Sequence, residues 1–155
     1  MSDPSPVPWT ARLRDPRFRT IFLFGMASGL PSSLVFATLS IWLREEGLTR
    51  TSIGLLGMVA TPYAVNFLWA PLVDRLRVPV FGALGLRRGW ILLCQLGLIV
   101  AIAGMGFGDP TAAPLVLGAW ALAVAIISAT QDVAIDAYRV EILDREQYGA
   151  GAALA

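Results

Sequence analysis

The chain has 155 residues, 56% of them hydrophobic and 15% charged, with a mean hydropathy of +0.67 and a net charge of +1. A 16.6 kDa globule has too much surface for its volume to hide so many apolar side chains, so this composition excludes a water-soluble domain and fits a bilayer. Near-neutral charge gives no reason to expect nucleic acid. The absence of histidine removes His-based metal and triad chemistry, and a lone cysteine, Cys94, cannot form an internal disulfide, so no metal or cofactor is expected.

In chain order, residues 1–17 read as a loose, Pro-containing cytoplasmic tail. The charges then cut the chain into four long uncharged runs: Thr20 to Leu43, Thr51 to Val73, Gly89 to Gly108 and Pro110 to Gln131. Each meets the roughly 20 residues a helix needs to cross about 30 Å of hydrocarbon. The spacing predicts an all-α membrane protein within residues 18–148, with spans at about 20–43, 52–73, 89–107 and 113–138. The first run is too long for the core of a signal peptide and reads as a retained span. Residues 149–155, GAGAALA, read as the start of a truncated fifth helix.

Orientation follows from the arginines, because cytoplasmic loops carry the excess of positive charge. Ten lie on the amino-terminal side: Arg12, Arg14, Arg17, Arg19, Arg75, Arg77, Arg87, Arg88, Arg139 and Arg145. Two, Arg44 and Arg50, lie on the other. The amino terminus is therefore expected in the cytoplasm, with the spans paired as two helical hairpins. Trp9, Trp42, Trp69 and Trp90 fall at or near the interfaces, as an aromatic belt does.

Polar residues inside a span are costly, so their positions are informative. Near the middle of span one lies Ser28-Gly29-Leu30-Pro31-Ser32-Ser33, where proline removes a backbone donor. Such a break exposes backbone to a solute in many carriers; Gly25 and Gly29 equally suit plain helix packing. In span two, Pro62, Tyr63 and Asn66 share a face and either line a cavity or tie helices together. Span four holds Ser128, Asp132 and Asp136 at one-turn spacing, flanked by Gln131 and Arg139. Two carboxylates a turn apart raise each other's proton affinity. Asp132 is only seven residues from Arg139, roughly 10 Å, which places the acids toward the inner face. A gate of Asp–Arg pairs, a proton carrier and helix-end solvation all fit. A metal-dependent phosphotransferase would need further acidic ligands on a neighbouring span, which these four do not offer. Between spans two and three, Asp74-Arg75 followed by Arg87-Arg88 can latch helix ends or serve as positive-inside anchoring.

Asp74-Arg75 with Arg87-Arg88-Gly89 resembles the loop motif between helices two and three of the major facilitator superfamily. More closely, Gly25 to Pro31 (GMASGLP), Phe67 to Arg75 (FLWAPLVDR), Arg87 to Trp90 (RRGW), Ser128 to Glu141 (SATQDVAIDAYRVE) and Gly149 to Leu154 (GAGAAL) resemble the muropeptide permease (AmpG-type) family in order and spacing. The chain departs from the pattern at Ala70, where the superfamily loop usually has glycine, and at Asn66, where family members often carry lysine.

The resemblance implies a fold of twelve or more helices, of which this chain holds the first four. It implies proton-driven import of 1,6-anhydromuropeptides from periplasm to cytoplasm through a bacterial inner membrane, for peptidoglycan recycling. The partners so implied are lipid, a small glycopeptide, protons and the remaining C-terminal helices. A related carrier of another solute, such as acetyl-CoA, and a complete four-helix oligomeric membrane protein are the alternatives. On the transporter reading, Asp74, Arg75, Arg87, Arg88, Asp136 and Arg139 form the cytoplasmic gate. Asp132 and Asp136 are the proton-coupling candidates, and Ser28, Pro31, Ser32, Tyr63, Asn66 and Gln131 line the substrate cavity. The four spans alone are expected not to transport.

Overall fold

The computed structural model describes residues 14–153. Positions 1–13 of the expected tail, with Trp9 and Arg12, lie outside the described residues, as do positions 154–155 of the expected fifth helix. The described residues form helices and turns, with no strand among them, and four helices are long and apolar enough to cross a membrane. The all-α expectation is met. The helices are α1 (Pro16–Glu45), α2 (Arg50–Leu68), α3 (Ala70–Arg75), α4 (Leu86–Gly106), α5 (Pro114–Ile142) and α6 (Tyr148–Ala152). The short α3 prolongs the span that α2 begins.

α1 starts at Asp15, whose carboxylate accepts the Arg17 backbone N–H at 2.9 Å, with Pro16 at the first helical position, where its missing N–H costs nothing. The chain stays α-helical through the buried Pro31. The irregularity expected around Ser28 to Ser33 falls one turn later, as a π turn over Leu34–Thr38 closed by the Leu39 N–H on the Leu34 carbonyl. Proline removes only its own hydrogen bond. The neighbouring bonds persist, and the Ser32 hydroxyl adds one by donating to the Gly29 carbonyl at 2.9 Å.

α2 is broken more deeply, by 3-10 turns at Met58–Ala60 and Asn66–Leu68. Pro62 has no N–H to offer the Met58 carbonyl four residues back. The Thr61 backbone N–H and its hydroxyl, at 2.6 Å, donate to that carbonyl instead. Pro71 opens α3 after the second interruption in the same way as Pro16 opens α1.

α5 is the central member. Leu117, Ala121, Val124, Ser128, Gln131 and Ile135 make a buried stripe at three- and four-residue spacing, and α1, α2, α3 and α4 all pack against this helix. Small residues let the backbones approach. Against α4 the fit is close: a Cβ on Gly104 would sit 2.5 Å from the Trp120 ring, and one on Gly97 would sit 3.3 Å from Ile127. Gly85, at φ +92°, sets the entry into α4, a backbone region that L side chains rarely adopt. In the turn between α4 and α5, the Asp109 carboxylate accepts the Thr111 N–H, the Thr111 hydroxyl and the Ala112 N–H at 2.7–2.9 Å. These donors hold its carboxyl below the usual carboxylate range.

Candidate functional site

Two polar regions stand out in this apolar frame. The first lies inside the packet. The Asp132 carboxylate of α5 accepts a hydrogen bond from the Ser28 hydroxyl of α1, joining residues 104 apart in sequence. Tyr63 of α2 faces Ser128 and Asp132, and the Phe36 ring of α1 packs against Tyr63 with centroids 5.7 Å apart. Cys94 of α4 is buried within electrostatic reach of Asp132. Asp132 is thus faced by Ser28, Tyr63, Cys94 and, on its own helix, Asp136.

Around it, the nitrogen and the oxygen of the Gln131 amide have no protein partner among the described residues, and the Tyr63 and Ser128 hydroxyls face each other with no other side-chain partner. Ser128 and Gln131 are 0% exposed, so Gln131 is enclosed by the helices in this state. Of the other residues read as cavity-lining, Ser32 is turned onto its own helix and Pro31 is buried in α1. Asn66 is half-buried where α2 tightens into its second 3-10 turn.

The second region is the arginine-rich end. Arg87, at the start of α4, ties two helices: its Nη1 lies 2.5 Å from the Asp74 carboxylate of α3, and its Nε lies 2.9 Å from Glu141 of α5. Arg87 is mostly covered, at 14%, whereas its two acids are half exposed. Arg88 donates to the Tyr138 hydroxyl at 3.2 Å and stands 5.7 Å over that ring, which meets the edge of Phe24 from α1. Asp136 and Arg139 pair with each other at 2.9 Å within α5. Among the described residues, no ion pair within 4.0 Å reaches Arg75.

The structure therefore brings Asp74 and Arg87 together across helices, while the Asp136–Arg139 pair stays on one helix. Glu141 and Tyr138 were missed as partners. The available signal was their position within the Ser128 to Glu141 string, two and five residues beyond Asp136 on the same helix.

A cavity of about 440 Å³ opens at this end, lined by Arg17, Thr20, Arg88, Tyr138 and Glu141. A groove of about 620 Å³ lies at the other end, lined by Glu46, Leu48, Ser52 and Thr111. Neither is lined by Asp132 or Gln131. Chemically, the interior offers a carboxyl held by a hydroxyl, a group that can keep or release a proton. The outer cluster offers ion pairs that can be made and broken between helix ends. No group of three or more His, Cys, Asp or Glu suited to a metal occurs among the described residues.

Residues 18–112 match the family model described as acetyl-coenzyme A transporter 1. The chain is 41% identical over 142 residues to the anhydromuropeptide permease of Escherichia coli strain K12, covering 92% of this chain and 28% of that protein. It is 35% identical over 138 residues to an AmpG-named transporter of Rickettsia conorii, covering 88% and 33%, and 31% identical over 137 residues to one of Rickettsia felis, again 88% and 33%. The chain thus spans about a third or less of the length of these relatives. With four helices fit to cross a membrane, and a family model matched over more than half its length, the chain belongs to this family of membrane transporters and to its AmpG-type members within the major facilitator superfamily.

Proposed function

We propose that this chain is part of a secondary active transporter that imports 1,6-anhydromuropeptides with protons across a bacterial inner membrane, for peptidoglycan recycling. The observation that carries this reading is the 41% identity to the Escherichia coli anhydromuropeptide permease across 92% of the chain. The arginine-rich end faces the cytoplasm. There the Arg87 bridge to Asp74 and Glu141, with Arg88 on Tyr138, acts as the gate that holds α3, α4 and α5 together while the inner side is closed. Arg75, Asp136 and Arg139 stand beside it as charges that can exchange partners when the gate opens. Asp132 carries the coupling proton, with Ser28 as the hydroxyl that orients it. Ser32, two residues before the π turn of α1, and Asn66, at the start of the second 3-10 turn of α2, face the solute path. Alternating access needs a second helical bundle to rock against this one.

The test is a graft. Replacing the matching segment of the Escherichia coli permease with this chain is expected to leave uptake of labelled anhydromuropeptide intact. Asp132→Asn in the graft is expected to abolish acceleration of uptake by an inward proton gradient. A correctly inserted graft that takes up no anhydromuropeptide overturns the solute, and gradient-driven uptake surviving Asp132→Asn overturns the coupling role. The description of the matched family favours one second reading, an acetyl-CoA-like solute. Competition of the same uptake by acetyl-CoA would support it.

A further inference from the structure

Gln131 brings an amide, with two N–H donors and a carbonyl acceptor, into the middle of a helical packet. The residue is 0% exposed, and neither the nitrogen nor the oxygen of its amide has a protein partner among the described residues. Its neighbours do not answer it. The Ser128 hydroxyl, one turn earlier, faces that of Tyr63, and the Asp132 carboxylate, next in sequence, accepts from Ser28. Neither solvent nor solute answers it in this state, because the helices close over it and the cavities at the two ends of the packet are lined by other residues. The amide is therefore both dry and unpaired, a condition that natural interiors rarely keep.

Such a group raises the free energy of the packed state and leaves that of a hydrated state untouched. Relative to an apolar side chain of the same shape, it multiplies the population of any state in which water reaches it by roughly tenfold or more. The fold indicates where the helices part. Gln131 lies eight residues before Arg139, roughly 12 Å along α5 from the arginine-rich end. The ties at that end join Arg87 to half-exposed acids, and water replaces such pairs at little cost. The seam of α4 and α5 is locked by Gly104 against the Trp120 ring, and both helices run unbroken. α1 and α2 are already irregular, with a π turn over Leu34–Thr38 and 3-10 turns at Met58–Ala60 and Asn66–Leu68. They are the helices that yield.

We propose that Gln131 is a built-in weak point of the packet. Its unpaired amide drives a local opening in which α1 and α2 draw back from α5 toward the arginine-rich end and water reaches the amide. This goes beyond the transport reading and holds whatever solute the protein carries.

The test compares the chain with Gln131→Met, whose unbranched side chain keeps the shape and removes the donors and the acceptor. Both are placed in lipid bilayers, where protection of backbone amides against hydrogen exchange reports local opening. Protection over Ala129 to Ala134 is expected to rise about tenfold in Gln131→Met, with that of Ala101 to Met105 on α4 unchanged. No rise overturns the proposal. An equal rise in both stretches also overturns it, by showing that the amide weakens the fold as a whole.

Thermal unfolding gives a second readout. Gln131→Met is expected to raise the midpoint, and Gln95→Met, at a half-buried glutamine of α4, is expected to leave it unchanged. An unchanged or lowered midpoint for Gln131→Met overturns the proposal, because an amide without partners costs the packed state stability. A gain matched by Gln95→Met overturns it too, because polarity without enclosure would then account for the effect.

Discussion

The interior around Asp132 and the charged cluster around Arg87 both join helices through polar groups, but they do so under opposite conditions. At the arginine-rich end, Asp74 and Glu141 are about half exposed, so water screens their pairing with Arg87 and can replace it. Inside the packet, Ser128 and Gln131 are fully covered, and a lost partner cannot be replaced from bulk solvent. The outer cluster is built to open cheaply. The inner one is sealed from solvent.

The comparison can be broken from the inside first. Gly104→Val pushes a branched side chain into the Trp120 ring and prises α4 from α5, the seam on which the interior rests. A loss of about 3 kcal/mol is expected, read by thermal or denaturant unfolding in detergent. Ser28→Ala should come next, at about 2 kcal/mol, because it leaves Asp132 without the hydroxyl that bridges α1 to α5. A loss as small as that of a surface substitution would show that the interior contact is dispensable. Arg87→Ala breaks two pairs at once, yet about 1 kcal/mol is expected because both acids are solvated. That loss should shrink in high salt, and a salt-independent loss would erase the contrast between the regions. Arg17→Ala, which removes a 3.6 Å pair with Asp144 between exposed side chains, should cost roughly 0–0.5 kcal/mol.

The smallest effect lies in the Asp109 turn, at the far end from the arginines. Its carboxyl is held below the usual range by the Thr111 and Ala112 donors. The support it gives is therefore complete above the ordinary carboxylate pKa of about 3.9 and fades as pH falls through that value toward the lower folded one. Protection of the Thr111 and Ala112 amides against hydrogen exchange, taken relative to their intrinsic rates, should fall below about pH 4 in the unsubstituted chain. In Asp109→Ala that protection should be low at every pH.

The membrane class and the four spans were legible because lipid demands long uncharged runs, and the charges mark their ends. Asp132 was legible because a carboxylate among apolar residues is conspicuous. Its partner was not. Whether Ser28 or Ser32 meets Asp132 depends on how far α1 is rotated about its axis, and that angle is set by packing against α5. Arg87 was legible as a charged loop residue, but its second acid, Glu141, lies 54 positions away and becomes its neighbour only once α4 and α5 are seated. The irregularity in α1 was expected at Pro31 and lies a turn later, because a proline marks where a helix is weakened and the surrounding contacts decide where it yields. Gln131 read as a residue open to solute, and nothing in one sequence could have told that the neighbouring helices would close over it.

The central place of α5 carries a consequence for biogenesis. Lipid tails are as apolar as the helix surfaces, so nothing hydrophobic draws α1 and α2 together once they have entered the bilayer. Their main partner is made last of the four, which leaves them loosely associated until α5 emerges from the ribosome. The glycine-sided hairpin of α4 and α5 can close on itself at that moment, and the earlier helices then have a surface on which to dock. The order of synthesis and the order of assembly thus run in opposite directions.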